Sequence, residues 1–282
     1  MKQFSNPFIL LSLLLVSCSE IIQLDLNQGE NNKLVVEGSI TTEYKIHRVK
    51  LSRTADYFFN QPGLPELGAN VSISDGDTII QMIDNGNKGI YATEDSCAGK
   101  IDHNYTLNIQ LANGEQYTAS ESIKSLMPVD SVRYEYVEAP FPNMDDDYYY
   151  NINIFASEDP APGDFYLWEL FINNKHVSDT LRLKVFVSDD MVNGSYIGNW
   201  TVYSIPEYKI DRDTNEVRLQ MLSISEGKYN FYFSSLLETD FSGGGFSGPP
   251  ANIPSNISNG ALGFFSASAV TESKIALYRV RN

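Results

Sequence analysis

The chain has 282 residues, enough for two domains of ordinary size, and 42% of them are hydrophobic, so substantial cores can be buried. Its 36 acidic against 20 basic residues give a net charge of -16, which repels phosphate backbones and anionic head groups and excludes nucleic acid as a partner. Two cysteines, Cys18 and Cys97, exclude a disulfide-dense scaffold and a cysteine-built metal site.

Behind Met1-Lys2, the apolar run from Phe8 to Val16 is too short to span a bilayer and fits the central region of an export signal. It ends in Leu14-Leu15-Val16-Ser17-Cys18, which resembles the lipobox of bacterial lipoproteins. That resemblance implies a signal peptide at 1–17, lipid on the Cys18 thiol, and a tether over 18–32. Two or three acyl chains, each contributing about 0.8 kcal/mol per buried methylene, anchor far more firmly than one. The expected location is the outer membrane, with the leaflet left open. With Cys18 so used, Cys97 has no intrachain partner. It reads as a small packed residue or a spare thiol, because no base is positioned to activate it.

From Lys33 the pattern is strands and turns. Residues 34–40 and 46–51 are β-branched runs, the second alternating apolar and polar. Val71-Ser-Ile73-Ser, Asp75-Gly76 and Thr78-Ile79-Ile80 predict a hairpin with a type I′ turn, since Asp-Gly supplies positive φ values. Residues 105–111 and 116–119 predict a second one turning at Asn113-Gly114, with Tyr105, Leu107, Ile109 and Leu111 on one face. About seven short strands at this spacing predict an immunoglobulin-like or fibronectin-like β-sandwich over 33–126, closed without any strand from the rest of the chain. Tyr105 serves there either as a tyrosine corner or as core.

Leu126-Met127-Pro128 marks a boundary, because proline ends a strand. Residues 127–282 are predicted to form a second β-rich, sandwich-like domain with one short helix. Tyr150, Ile152 and Ile154 share one strand face, and the near-continuous apolar run at 165–172 reads as a central strand. Further strands are expected at 181–187, 200–204 and 216–224. Ser225 fits a helix N-cap, with Tyr229, Phe233, Leu236 and Leu237 as the apolar stripe, and the helix ends before Ser242-Gly243-Gly244-Gly245.

The segment Ser247-Gly-Pro-Pro-Ala-Asn252-Ile-Pro-Ser-Asn256-Ile-Ser-Asn-Gly260-Ala-Leu-Gly263-Phe264-Phe265 resembles the C-terminal signature of a domain-of-unknown-function family of Bacteroidota outer-membrane lipoproteins. Gly89-Ile-Tyr91, Tyr105-Thr-Leu107, Asp159-Pro160 and Phe165-Tyr166 extend the likeness over nearly the whole mature chain. Members are typically encoded beside TonB-dependent receptors, so the resemblance implies an accessory role in uptake and supplies no catalytic residues. By its own chemistry, a Pro- and Asn-rich stretch with few charges makes an ordered loop packed across a sheet, leading into a buried strand at 261–269.

No enzymatic constellation emerges. Gly245-Phe-Ser247-Gly248 misplaces the second glycine of a nucleophile elbow, and His47, His103 and His176 lack the spacing of a zinc site. Asp211-Arg-Asp213 opens like a calcium loop, yet Glu216 and Leu222 occupy its glycine and glutamate positions, and Asp145-Asp146-Asp147 reads as a solvated acid run. The expectation is a non-enzyme with no cofactor and no metal, acting as a binding module for a TonB-dependent receptor. The alternative is a small-ligand or glycan binder using exposed aromatic platforms, with a hydrolase ranked third. The partner surface is expected at Phe241, Phe246 and Ile253, where an uncharged Gly, Pro and Asn segment presents apolar side chains without offering an edge strand.

Overall fold

Alternating apolar residues become strands throughout the computed structural model, which describes residues 32–55, 62–139, 147–190, 192–211, 215–240 and 253–278. Cys18, Phe241 and Phe246 lie outside the described residues. The first seven strands are β1 (Leu34–Thr41), β2 (Arg48–Arg53), β3 (Asn70–Ser74), β4 (Ile79–Asp84), β5 (Ile90–Thr93), β6 (Asn104–Gln110) and β7 (Gln116–Ser122). Val71 and Ile73 of β3, Tyr105, Leu107 and Ile109 of β6, and Tyr117 and Ala119 of β7 all point into one core.

Both expected hairpins form, with Ser74 opposite Ile79 and Gln110 opposite Gln116. Neither turn is of the two-residue type I′ form. Gly76 and Gly114 take positive φ, whereas Asp75 and Asn113 do not. Their side chains cap the loops instead: Asp75 Oδ1 accepts from the Asp77 and Thr78 N–H groups at 3.2 and 2.7 Å, and Asn113 Oδ1 accepts from Glu115 N–H at 3.0 Å. In these longer loops a side-chain hydrogen bond replaces the second left-handed residue. Tyr105 fills both roles foreseen for it, since its ring is buried and its hydroxyl accepts the Lys100 N–H at 2.8 Å.

Next in the chain come β8 (Val129–Glu138), β9 (Tyr148–Ser157), β10 (Phe165–Ile172), β11 (Lys175–His176), β12 (Val185–Ser188), β13 (Tyr196–Pro206) and β14 (Asn215–Ile224). Helix α1 (Glu226–Asp240) then precedes β15 (Leu262–Ser268) and β16 (Val270–Leu277). The sheet β13-β9-β8 packs over the sheet β11-β10-β14-β16, in which β12 also pairs with β10. Between them lies a second core that joins Tyr150, Ile152 and Ile154 to Trp168, Leu170, Leu219 and Met221. β10 is central, as its apolar run requires. Residues 181–183, expected as strand, form a 3-10 turn, and the strand begins only at Val185. The chain is thus mainly β, with sandwich-like sheets and, among the described residues, one α-helix.

The largest departure from expectation is β15. It pairs in parallel with β1, from Val35 opposite Leu262 to Thr41 opposite Ser268, and heads the sheet β15-β1-β2-β5-β4-β3-β6-β7. Residues 33–126 therefore do not close their own sandwich. Ile257, Ala261, Phe265, Ala267 and Ala269 complete the first core from the far end of the sequence. Asn256 completes the closure between β15 and β7: its amide brackets Phe265, donating to the carbonyl at 2.8 Å and accepting the N–H at 3.0 Å. Two residues on, Ser258 exchanges hydrogen bonds with the Thr118 backbone. Because β14 and β16 belong to one sheet and β15 to the other, the chain crosses between sheets twice. Ser223 marks the crossing, with its hydroxyl donating to Lys124 O and accepting Ala269 N–H, both at 2.9 Å. Residues Asn32–Asn282 form one compact unit.

Gly263 makes the parallel pair possible. Its φ is +95°, and a Cβ there would stand 2.0 Å from Val36 O. Gly263→Ala should lower the melting temperature by more than the roughly 1–2 kcal/mol that a left-handed residue costs, since the clash adds to it. Gly260→Ala, at φ +71° with open space around the added carbon, should cost only the backbone share. Equal losses in thermal melts of the two variants would show that β15 can shift away from β1.

Candidate functional site

Inward residues of β1 and β15 build the core, which leaves Val35, Glu37, Leu262 and Phe264 on the outer face of the pair. Helix α1 lies against that face. Ser225 caps it as expected, its hydroxyl accepting the Lys228 N–H at 3.1 Å. Only part of the stripe foreseen docks: Tyr229 packs on Phe165 and Phe186, with ring centroids 5.2 and 5.5 Å away. Phe231 packs on Phe264 with ring centroids 5.5 Å apart, Tyr232 on Phe186 at 5.6 Å, and Ser235 is buried, whereas Phe233 and Leu237 face solvent at 46% and 44% exposure. Both faces of this helix carry aromatic residues, so periodicity cannot choose between them. The rings waiting on β12 and β15 decide.

Between α1, residues 253–261 and the β1–β15 floor opens a groove of about 1050 Å³. Of the partner residues singled out in the sequence, Ile253 lies on its rim, 36% exposed. Lys33, Arg48, Lys184 and Lys228 also line it, against one acid, Glu37. Glu37 is paired with Lys50 at 2.8 Å and Lys184 with Glu169 at 2.6 Å, while Lys33, Arg48 and Lys228 have no carboxylate partner among the described residues. The walls are aromatic and aliphatic: Phe231, Tyr232, Phe264 and Leu262.

Lys228 is the unusual member. Its ammonium sits 4.5 Å from the Tyr232 ring centroid and 5.0 Å from those of Phe231 and Phe264, an arrangement that favours a cation over the ring faces. Burial beneath these rings, with Lys184 nearby, lowers its pKa to about 8, and Glu121, Glu37 and Glu169 only partly oppose the shift. The site is therefore a mixed apolar and cationic cleft in a strongly acidic protein.

The histidines stay apart from it. His47 is buried at the start of β2, its pKa lowered by burial, with Nε2 3.0 Å from the Cys97 carbonyl oxygen and not paired with the thiol. Burial raises the Cys97 pKa, the opposite of what a nucleophilic thiol needs. His176 stacks on Phe171.

The fold and the cleft define a mainly β protein with a helix laid over one outer sheet face. The chain belongs to the family called domain of unknown function DUF4249, whose model matches residues 19–274. No curated protein matches it in sequence. Among solved structures it is similar to trypsin-activated alpha-2-macroglobulin from Escherichia coli (13% identity, 71% of this chain, 15% of that one, TM-score 0.25). It is also similar to the chicken CNTN1 FN1-FN3 domains (11%, 67% and 60%, TM-score 0.25) and to murine CEACAM1b (11%, 87% and 98%, TM-score 0.21). It spans less than two thirds of the first two.

The pKa of Lys228 sets a stability test. Between about 8 and its ordinary 10.5, the unfolded chain binds a proton that the folded chain has released, so this residue's contribution to stability rises with pH. Lys228→Met keeps an unbranched apolar stem against the rings and cannot titrate. Relative to that variant, the wild type should gain about 1–2 kcal/mol from pH 8 to pH 10, allowing for water at the open mouth. Parallel melting profiles would mean that the ammonium stays hydrated in the fold.

Proposed function

We propose that this chain is a lipid-anchored, non-catalytic binding module of the outer membrane, an accessory lipoprotein to a TonB-dependent uptake receptor in Bacteroidota. The groove is its recognition surface, and it takes an acidic, apolar-flanked segment of that receptor. One observation carries the reading: four cationic side chains against one acid, over apolar walls, in a chain of net charge -16. On such a background a local cationic cleft steers acidic partners toward itself and away from the rest of the surface. The lipobox at Cys18 motivates the anchor, and the resemblance in residues 247–265 motivates the neighbourhood. Among the described residues no helix is long and apolar enough to cross a membrane, so the tether in this proposal is lipid. The glycan reading has less support. The exposed Tyr44, Tyr196, Tyr208 and Tyr278 sit on separate elements, and none lines the groove.

Acylated protein captured from solubilised outer membranes should bring one large β-barrel with it, and retention should fall as salt is raised. Ile253→Glu places a carboxylate at the cationic mouth and should release the barrel. At an exposed position it should change stability by under about 0.5 kcal/mol. Retention of the barrel by this variant, with melting unchanged, would refute the groove as the contact.

The anchor is tested separately. Cys18→Ala should appear in the soluble periplasmic or secreted fraction. Persistence on outer membranes after a salt and carbonate wash would show that lipid is not the tether.

A further inference from the structure

Three strand ends meet where β9 leaves its sheet, β10 enters and β12 finishes. Glu158 follows β9, Asp164 precedes β10, and Asp189 follows β12. One carboxylate oxygen from each lies within 4.8 Å of the others. Backbone hydrogen bonds fix the convergence: Asp189 N–H donates to Asp164 O at 3.0 Å and Glu158 N–H to Ser195 O at 3.1 Å.

Charge is what makes the arrangement informative. Asp189 and Glu158 are 1% and 6% exposed. None of the three acids forms a salt bridge among the described residues, and the nearby Lys124 ammonium is spent on Gly163 O at 3.0 Å. Three carboxylates, two of them buried, with only the Lys124 ammonium near Asp164 to offset them, are unfavourable together, and must either bind protons or hold a cation. The donors around them favour the ionised form. The Tyr166 hydroxyl donates to Glu158 Oε1 at 2.7 Å, and Gly163 N–H to Asp189 Oδ2 at 3.0 Å. After these bonds Glu158 Oε2 remains buried with no partner of any kind. A second buried oxygen without a partner, Asn193 Oδ1, sits on the turn that Asp189 O caps by accepting the Asn193 N–H at 2.8 Å. A cation bound among the three acids would satisfy the Glu158 oxygen and offset the charge of the cluster.

We infer that Glu158, Asp164 and Asp189 form a calcium site that ties together the ends of β9, β10 and β12. The donor set is oxygen only, which suits a hard cation such as Ca²⁺ better than zinc. Oxygens each 2.3–2.6 Å from one Ca²⁺ stand at most about 5 Å apart, which matches the separation here.

The test is calorimetric titration of the full acylated chain in detergent with CaCl₂ after EDTA treatment, alongside thermal melts. One Ca²⁺ per chain should bind saturably, and the melting temperature should rise with calcium. Asp189→Asn keeps an acceptor for Gly163 and should weaken binding at least tenfold and abolish the calcium-dependent rise. Glu158→Gln, which keeps an acceptor for Tyr166, should do the same, so the result does not hang on one variant's folding. Terbium in place of calcium should show tyrosine-sensitised emission that Tyr166→Phe diminishes. Absence of saturable binding to the wild type, or binding left intact by both carboxamide variants, overturns the assignment.

Discussion

The parallel pairing of β1 with β15 is the constraint on which the rest depends. It joins the first strand of the folded chain to one of the last, and each later feature inherits its geometry. Phe265, wholly buried by this pairing, belongs to the first core, and removing such a ring costs roughly 3–5 kcal/mol. Committing β15 to the first sheet while β14 and β16 stay in the second makes the two cores parts of one unit. It also turns Phe264 outward, and Phe264 seats the helix. Without Gly263 the two backbones could not approach, because any side chain there would occupy the place of the Val36 carbonyl.

How much of this was legible in the sequence follows from the range of each interaction. Alternation within β3, β6 and β7 is local and was readable, as were both hairpins, the cap at Ser225 and the burial of β10. The partner of β15 was not. The apolar run at 261–269 announces a buried strand, but nothing local says that its neighbour lies more than two hundred residues earlier. β16 was missed because Thr271, Glu272, Ser273 and Lys274 interrupt its apolar pattern. It is held by backbone pairing with β14, by Ile275 and Leu277 in the second core, and by Arg218 on Glu272 at 3.0 Å.

The same distinction governs the sites. Ile253, on the groove rim, was singled out because an uncharged segment with apolar side chains stands out in an acidic chain. The cations that give the cleft its character were invisible, since Lys33, Arg48, Lys184 and Lys228 are isolated charges in four unrelated stretches. The carboxylates behaved likewise. Glu158 and Asp164 share one connection, but Asp189 reaches them only because β12 pairs with β10, placing Ser188 opposite Phe165. A sequence-level signal existed in the proline- and glycine-containing turn between Glu158 and Asp164, which holds two acids close on a rigid connection. The third required the sheet.

The two regions share an element. Phe165 follows Asp164 directly, Phe186 lies on β12 before Asp189, and both rings pack on Tyr229, at 5.2 and 5.5 Å. Tyr229 adjoins Lys228, whose ammonium enters the groove on the next face of α1. The strand ends that carry the acid cluster therefore also carry the aromatic seat of the helix that walls the cleft. Where β10 and β12 are held together, Phe165 and Phe186 are held at a fixed separation, and the angle at which α1 meets Phe264 is fixed with them. Packed rings tolerate few intermediate positions, so the helix is set by its seat and does not float over the sheet.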